Sequence, residues 1–414
     1  MVANLAAAAR GQAGQHSWLD TALEQELEKI RAADLYRVRR VICGGHGVTV
    51  HVDGRECLNF CSNDYLGLAA DPRPAAAAQR VAAAGGVGSG AAALISGYDH
   101  EHRALEEALA EFLGRPRVLL FTSGWAANLG VIRALLDRGD TLFADELNHA
   151  SLIDGGRLSR AAYQRIPHCD VAAFAAALQA TAGSTGRRLL VTDGVFSMDG
   201  DIADLPALQA ATQQHDAALM VDDAHGFCVL GAHGRGSLEL LDVAPDVHVA
   251  TLGKALGAAG AFVSGSETLI EYLIQRARSW VFSTAPPPAI AAAAREALRI
   301  VVAEPERRQR LRDNIQRFRA AVTAQGIALG QPEAAGLRGA PTPIQPLVLG
   351  ASARAMGVSK ALFQQGFWVA AIRPPTVPAD TARLRITLSA AHEPAQIDAL
   401  AEALGRALAQ YHRS

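Results

Sequence analysis

The stretch Ala217-Ala-Leu-Met-Val-Asp-Asp-Ala-His-Gly226 decides how this sequence reads. Five apolar residues in succession predict a strand buried on both faces, and the run ends abruptly in two carboxylates and an imidazole. Polar side chains at the carboxyl end of a buried strand are the mark of a ligand crevice in an open parallel sheet. Neighbouring segments repeat the pattern. Strands are expected at 117–121, 141–143, 188–192, 217–221 and 248–252, with helices at 126–136, 172–180 and 205–215 separating most of them. Strands alternating with helices over this length define an α/β fold with a large, mostly parallel sheet covered on both faces.

Further out, Leu19, Leu23, Leu27, Ile30 and Leu35 recur at helical spacing between charged residues over 17–41, so a helix or helix pair opens the chain. A hairpin around Asp53-Gly54 follows. At Ser283-Thr-Ala-Pro-Pro-Pro288 three prolines interrupt both helix and sheet. A long arginine-rich helical region from about 290 to 325 comes next, then strands at 344–349, 367–372 and 384–388 and a closing helix at 394–412. We therefore expect an arm, helix and hairpin start over 1–55, a large α/β domain over 56–288 and a smaller α+β domain over 289–414. The Ala-rich Leu5 to Ala9 stretch lacks a basic start and a long apolar region, and is expected to be a frayed arm rather than a signal peptide.

The 414 residues are 50% hydrophobic and 19% charged, which suits a large buried core. Lys plus Arg number 39 against 41 Asp plus Glu, so no basic field is present to hold nucleic acid or an anionic membrane. The five cysteines are scattered and never form a Cys-x-x-Cys pair, which suggests neither a disulfide framework nor a zinc site and fits a reducing cytoplasm. No stretch is long and apolar enough to span a bilayer.

Only three of the basic residues are lysines: Lys29, Lys254 and Lys360. Lys29 and Lys360 read as solvated surface residues. Lys254 lies in Thr251-Leu-Gly-Lys-Ala-Leu-Gly257, just after an expected strand and among small apolar neighbours. Dehydration there lowers an amine's pKa and exposes the neutral nucleophile, which can condense with an aldehyde or ketone as arginine cannot. A buried carboxylate at the neighbouring strand end, Asp222 or Asp223, is suited to keep the ring nitrogen of a pyridoxal cofactor protonated. A metal site of Asp222, Asp223 and His225 is the competing reading; it lacks Cys partners and a His-x-x-x-His spacing. Arg117-Val-Leu-Leu-Phe-Thr-Ser-Gly-Trp-Ala-Ala-Asn128 is a strand, a tight turn and a helix start, which suits either a phosphate or an ordinary N-cap. Asp145-Glu-Leu-Asn-His149-Ala-Ser151 and Asp193-Gly-Val-Phe-Ser197-Met-Asp-Gly200 place more polar groups at strand ends. Gly86-Val-Gly88-Ser-Gly90 imitates a dinucleotide fingerprint but follows a helical run rather than a strand.

Together with Asn63-Asp-Tyr-Leu-Gly-Leu68, these segments resemble, in order from about 20 to 410, the α-oxoamine synthases, which are aminotransferase-like, fold-type I enzymes dependent on pyridoxal 5'-phosphate. The resemblance implies that Lys254 carries the cofactor as a Schiff base, Asp222 partners the pyridine nitrogen and His149 stacks on the ring. It implies His225 and Ser197 near the ring hydroxyl, Gly124, Trp125 and Thr251 near the phosphate, and Arg385 on the amino-acid carboxylate. Arg37 and Thr376 match substrate-contacting positions, and Arg373 or Arg37 is a candidate for the far carboxylate of a dicarboxylic acyl chain. Ala371-Ile-Arg-Pro-Pro-Thr-Val-Pro378 and Thr381-Ala-Arg-Leu-Arg-Ile-Thr387 are most similar to family members that join L-alanine to a pimeloyl thioester, carried by coenzyme A or an acyl carrier protein, in biotin biosynthesis. Glycine- and succinyl-using relatives share the same core. A homodimer is implied, with the partner subunit's Ser283 and the partner subunit's Thr284 near the phosphate. Trp125, Asp193 and Ala91-Ala92 depart from the family pattern, where Phe or Tyr, Glu and Gly-Ser are expected.

Overall fold

In the computed structural model, which describes residues 17–33, 35–330 and 342–411, the five strands expected between 117 and 252 join two others, at 162–166 and 261–265, in one seven-stranded sheet. The stretch Leu5 to Ala9 and the last residue expected in the closing helix, His412, lie outside the described residues. In chain order, α1 (Trp18–Ala32) leads to β1 (Ile42–Cys43), β2 (Thr49–Val52) and β3 (Arg55–Asn59), then α2 (Pro72–Gly85) and α3 (His100–Leu113). The large sheet is built from β4 (Arg117–Phe121), β5 (Thr141–Asp145), β6 (Ala162–Ile166), β7 (Arg188–Asp193), β8 (Ala218–Asp222), β9 (Val247–Thr251) and β10 (Ala261–Gly265). Between them run α4 (Gly124–Leu135), α5 (Ala150–Ser159), α6 (Val171–Ala180), α7 (Leu205–Gln214) and α8 (Ser237–Leu241). After β10 come α9 (Glu267–Arg276), α10 (Arg278–Val281), α11 (Pro288–Ala303) and α12 (Glu306–Ala324). The remainder is β11 (Ile344–Gly350), α13 (Ser352–Gln364), β12 (Phe367–Trp368), β13 (Ala370–Ile372), β14 (Ala382–Thr387) and α14 (Pro394–Tyr411).

The sheet order is β4-β10-β9-β8-β7-β5-β6, parallel except for β10. Its central strands are buried along their length, as continuous apolar runs covered on both faces must be. The parallel strands end together, which carries Asp145, Asp193, Asp222 and Thr251 to one edge. Residues 248–265 fold as two antiparallel strands with the Lys254 turn between them. Gly257 and Gly260 take φ of +62° and +101° there, and a Cβ on Gly257 would lie 2.2 Å from the amide nitrogen of Ala69.

Two departures from the expected elements have plain causes. The helical region expected over 290–325 divides into two helices, because Pro305 lacks the amide that would continue the first. The hairpin β2–β3 is part of a four-stranded sheet, since β3 pairs in parallel with β12, more than 300 residues away. The hairpin thereby joins the C-terminal part, whose other sheet is β11-β14-β13. The expected boundary near 288 falls at the start of α11, and one continuous apolar core runs from Phe60 and Tyr65 through Ile300 and Phe318 to Leu404. Helix α1, capped by Ser17, buries none of its residues in the single chain. Among the described residues no helix is long and apolar enough to cross a membrane, and all five cysteines are free.

Candidate active site

Successive side chains of a strand point to opposite faces, so Asp222 and Asp223 part company at the end of β8. Asp223 turns toward the loop below and accepts from the Ser237 amide at 2.9 Å and the Ser237 hydroxyl at 2.6 Å. Gly194, Gly226 and Gly236 press on it; a Cβ at Gly236 would fall 1.8 Å from Asp223 Oδ2. Complete burial pushes its carboxyl up to about 7. Asp222 points the other way. Its Oδ2 accepts from Asn128 Nδ2 at 2.7 Å and its Oδ1 from the Ala224 amide at 3.1 Å.

Asn128 is the hub of this side of the site. From the fifth residue of α4 its amide also donates to Ser151 Oγ at 2.8 Å, and Ser151 Oγ lies 2.7 Å from His149 Nδ1. The imidazole of His149 is thus oriented through Ser151, and its own amide donates to Asp193 Oδ2 at 2.6 Å. Trp125 stands edge-on to His149, with ring centroids 6.1 Å apart and planes at 79°. Burial, then the neighbouring Asp222, hold the Asp193 carboxyl well above its usual range.

Lys254 Nζ is 2.9 Å from His225 Nε2, and His225 Nδ1 is 2.7 Å from the Tyr65 hydroxyl. Tyr65 donates to Asn63 Oδ1 at 3.2 Å, which also accepts from Arg385 Nη1 at 3.1 Å. With the His225 proton on Nδ1 every link of this chain is satisfied, from Lys254 to Arg385. Burial, followed by the charges of Lys254 and Arg385, keeps His225 neutral by lowering its pKa well below the ordinary value. Burial also pushes the Lys254 amine down to about 8, with Asp222 and Asp193 partly opposing it. Arg385, on buried β14, spends Nε on the carbonyl of Ser197 at 2.5 Å.

The remaining expected residues fall in two places. At the start of α4, Ser123 caps the helix by accepting from the Ala126 amide, while Gly124 and Trp125 carry first-turn amides without intrahelical acceptors. A Cβ on Gly124 would meet nothing within 4 Å, so this helix end opens onto space. The Thr251 hydroxyl is engaged in its own turn, donating to the Gly260 carbonyl at 3.0 Å and accepting from Gly253 at 3.2 Å. The second place is the 373–378 loop, where Arg37 reaches Thr376 at 3.4 Å and Arg373 reaches the Tyr36 carbonyl at 3.4 Å. Lys29 is an exposed partner of Glu26.

Asn63, Tyr65, Asn128 and Ser151 belong to the site although sequence reasoning assigned none of them a role. Each lies in a segment that the resemblance quotes, but only folding shows that it touches a functional side chain. The donor set suits a phosphorylated pyridoxal: a half-buried amine with a lowered pKa, a carboxylate within its electrostatic reach, an imidazole and an indole beside open space, and an unencumbered helix N-terminus.

The chain belongs to the class I and II aminotransferase family, whose pattern matches residues 55–404, as the expected fold class and family resemblance require. Within that class it is similar to the 8-amino-7-oxononanoate synthase of Methylococcus capsulatus, with 56% identity over 387 residues, 93% of this chain and 97% of the relative. The crystal structure of 8-amino-7-oxononanoate synthase from Francisella tularensis has 30% identity and a TM-score of 0.72, covering 86% of this chain and 99% of that one. A serine palmitoyltransferase variant from S. paucimobilis with a bound PLP-myriocin aldimine superimposes with a TM-score of 0.89 at 28% identity, covering 96% of this chain and 100% of that one. The fold is therefore that of the fold-type I pyridoxal phosphate enzymes.

Proposed function

We infer that this chain catalyses the decarboxylative condensation of L-alanine with a pimeloyl thioester, giving 8-amino-7-oxononanoate, carbon dioxide and free thiol, with pyridoxal 5'-phosphate as cofactor. One observation carries the reading: a hydrogen-bonded chain from Lys254 through His225, Tyr65 and Asn63 joins the nucleophilic amine to Arg385, the guanidinium placed for an amino-acid carboxylate. When bound, pyridoxal phosphate supplies an aldehyde for Lys254 and an electron-withdrawing ring that stabilises negative charge at the amino-acid Cα.

The protein's own groups do the rest. The first-turn amides of Gly124 and Trp125 would hold the phosphate, and Asp222, fixed by Asn128, would keep a proton on the ring nitrogen. His149, oriented through Ser151, would lie against the ring. Arg385 grips the alanine carboxylate and sets the bonds at Cα for cleavage. Lys254 Nζ, with a pKa of about 8, takes the α-proton as a general base. Cα then attacks the thioester carbonyl and the thiol departs. Lys254 returns a proton to Cα after carbon dioxide is lost. Neutral His225 accepts a hydrogen bond from the amine and so steers it without adding charge. Arg37, Arg373 and Thr376 form the polar group that meets the distal pimeloyl carboxylate.

The working unit in this reading is a cytoplasmic homodimer. Leu19, Leu23, Leu27 and Ile30 of α1 are exposed in the single chain, as are Ile95 and Phe282, and a second copy is the cover that such an apolar set calls for. Sedimentation of a fully active monomer would remove the dimer. The function is tested by assaying alanine, glycine and serine against pimeloyl, succinyl and acetyl thioesters of coenzyme A and of a carrier protein. Turnover with alanine and pimeloyl thioester exceeding all other pairs is expected; preference for glycine with a succinyl or acetyl thioester would replace the assignment.

A further inference from the structure

We propose that His168 is a positioning residue for the amino-acid carboxylate: by tying the 195–202 turn to the end of β5, it holds the Ser197 carbonyl against Arg385. The proposal rests on the reading that Arg385 receives that carboxylate. His168 lies in the loop between β6 and α6, outside the group formed around Lys254. Its Nδ1 is 3.0 Å from Asp145 Oδ1, at the last residue of β5, and its Nε2 is 2.8 Å from Asp201 Oδ2. The same ring stands edge-on to Phe196, with centroids 4.4 Å apart. Burial works against a charged imidazole here, but the hydrogen bonds to Asp145 and Asp201 push it up to about 12.

Asp201 depends on this contact. Its carboxylate is buried and Oδ1 has no partner among the described residues, so Oδ2 carries its anchorage, to His168 and, weakly, to the Cys169 thiol at 3.7 Å. The turn that Asp201 closes is stiff. Val195 bridges Ile202, the Phe196 amide donates to the Asp201 carbonyl at 2.9 Å, and the Gly200 amide donates to the Phe196 carbonyl at 2.9 Å. A shift of Asp201 is therefore transmitted to Ser197, four residues earlier. On its other side the turn presents the Ser197 carbonyl to Arg385 Nε at 2.5 Å and the Asp199 carboxylate to Arg383. Arg383 and Arg385 lie two residues apart on β14, on one face of the strand. With Nε committed to Ser197 and Nη1 to Asn63, the plane of the Arg385 guanidinium is set by the turn. A bidentate carboxylate contact depends on that plane.

The test is steady-state kinetics of the holoenzyme with alanine varied at saturating pimeloyl thioester, for His168→Gln, Asp201→Asn, Arg385→Lys and the double variant His168→Gln/Arg385→Lys. We expect His168→Gln and Asp201→Asn each to raise KM for alanine about tenfold, with kcat and the thioester KM changed less than about threefold. We expect the double variant to be no worse than Arg385→Lys alone, because both changes remove the same contact. If Arg385→Lys raises the alanine KM and the His168 and Asp201 variants leave it alone, or if the effects in the double variant multiply, the proposal is overturned while the role of Arg385 stands. If Arg385→Lys itself leaves the alanine KM unchanged, the reading of Arg385 fails. Should His168→Gln not yield soluble protein, Asp201→Asn decides, and its double variant with Arg385→Lys replaces the first.

Discussion

Lys254 should be by far the most reactive of the three lysines in the cofactor-free protein. Burial brings its amine from 10.5 down to about 8. At pH 7.5 about one Lys254 side chain in four is then uncharged, against roughly one in a thousand for a lysine of ordinary pKa, an enrichment of about 200-fold in nucleophile. Limited access to a half-buried amine lowers the observed ratio, so a preference of at least about tenfold is the working threshold. The assay is brief reductive methylation of cofactor-free protein across pH 6.5–10, digestion, and mass spectrometry of the peptides holding Lys29, Lys254 and Lys360. Modification of Lys254 should rise with pH and level off above a midpoint near 8. The same shift bears on stability. Between pH 8 and 10.5 the folded state binds fewer protons at this site than the unfolded chain, so stability rises with pH across that window. Below pH 8 a full shift costs the cofactor-free fold about 3 kcal/mol. Lys254→Met removes that cost, and at pH 7 it should raise the unfolding free energy of cofactor-free protein by up to about 3 kcal/mol while abolishing turnover. Labelling of Lys254 with a midpoint near 10, or Lys254→Met leaving turnover intact, would refute the reasoning.

Three other outcomes follow from the geometry. Asn128→Ala removes the amide that holds Asp222 and Ser151; a charged hydrogen bond is worth about 1.5–3 kcal/mol, so equilibrium dialysis should show cofactor affinity weakened by roughly 10- to 100-fold. His392 accepts from the Ser389 amide, donates to the Asn59 carbonyl and stacks on Phe60, and burial lowers its pKa to about 4. The folded state therefore binds fewer protons than the unfolded chain between pH 4 and 6.5, and stability is lost as pH falls through that window. Urea unfolding of His392→Gln should show this acid dependence reduced by up to about 3 kcal/mol, and an unchanged slope would contradict it. Gly257→Ala places a methyl 2.2 Å from the Ala69 amide nitrogen at φ +62°, so the Lys254 turn must shift. Activity should fall at least tenfold with a lowered Tm, and a variant of wild-type activity and Tm would show that the turn tolerates the methyl.

Much of this protein was readable along the chain because the deciding signals are local. Apolar runs such as Leu189–Val191 and Leu219–Val221 fill strands covered on both faces, and polar residues begin where each strand leaves the sheet. The scarcity of lysine made Lys254 stand out before any contact was known. What escaped was either short or distant. β6 is a half-buried edge strand with a mixed pattern, and β10 is antiparallel in a run whose small residues resemble a loop. The strand expected over 367–372 is split, because β3 offers an edge to β12 while β13 pairs with β14 in another sheet.

By itself the sequence determined the class of fold, the order of most of its elements, the one lysine set among small apolar neighbours and the polar strand end beside it, since hydrophobic period and residue type are properties of neighbours in the chain. Only the tertiary structure decided that Asn128 orients Asp222 while Ser237 holds Asp223, that Tyr65 and Asn63 link Lys254 to Arg385, and that His168 braces the turn behind Ser197. Those choices depend on hydrogen bonds a few ångströms long between residues as far as 322 positions apart. Such pairings are set by strand order and packing, and no local pattern encodes them.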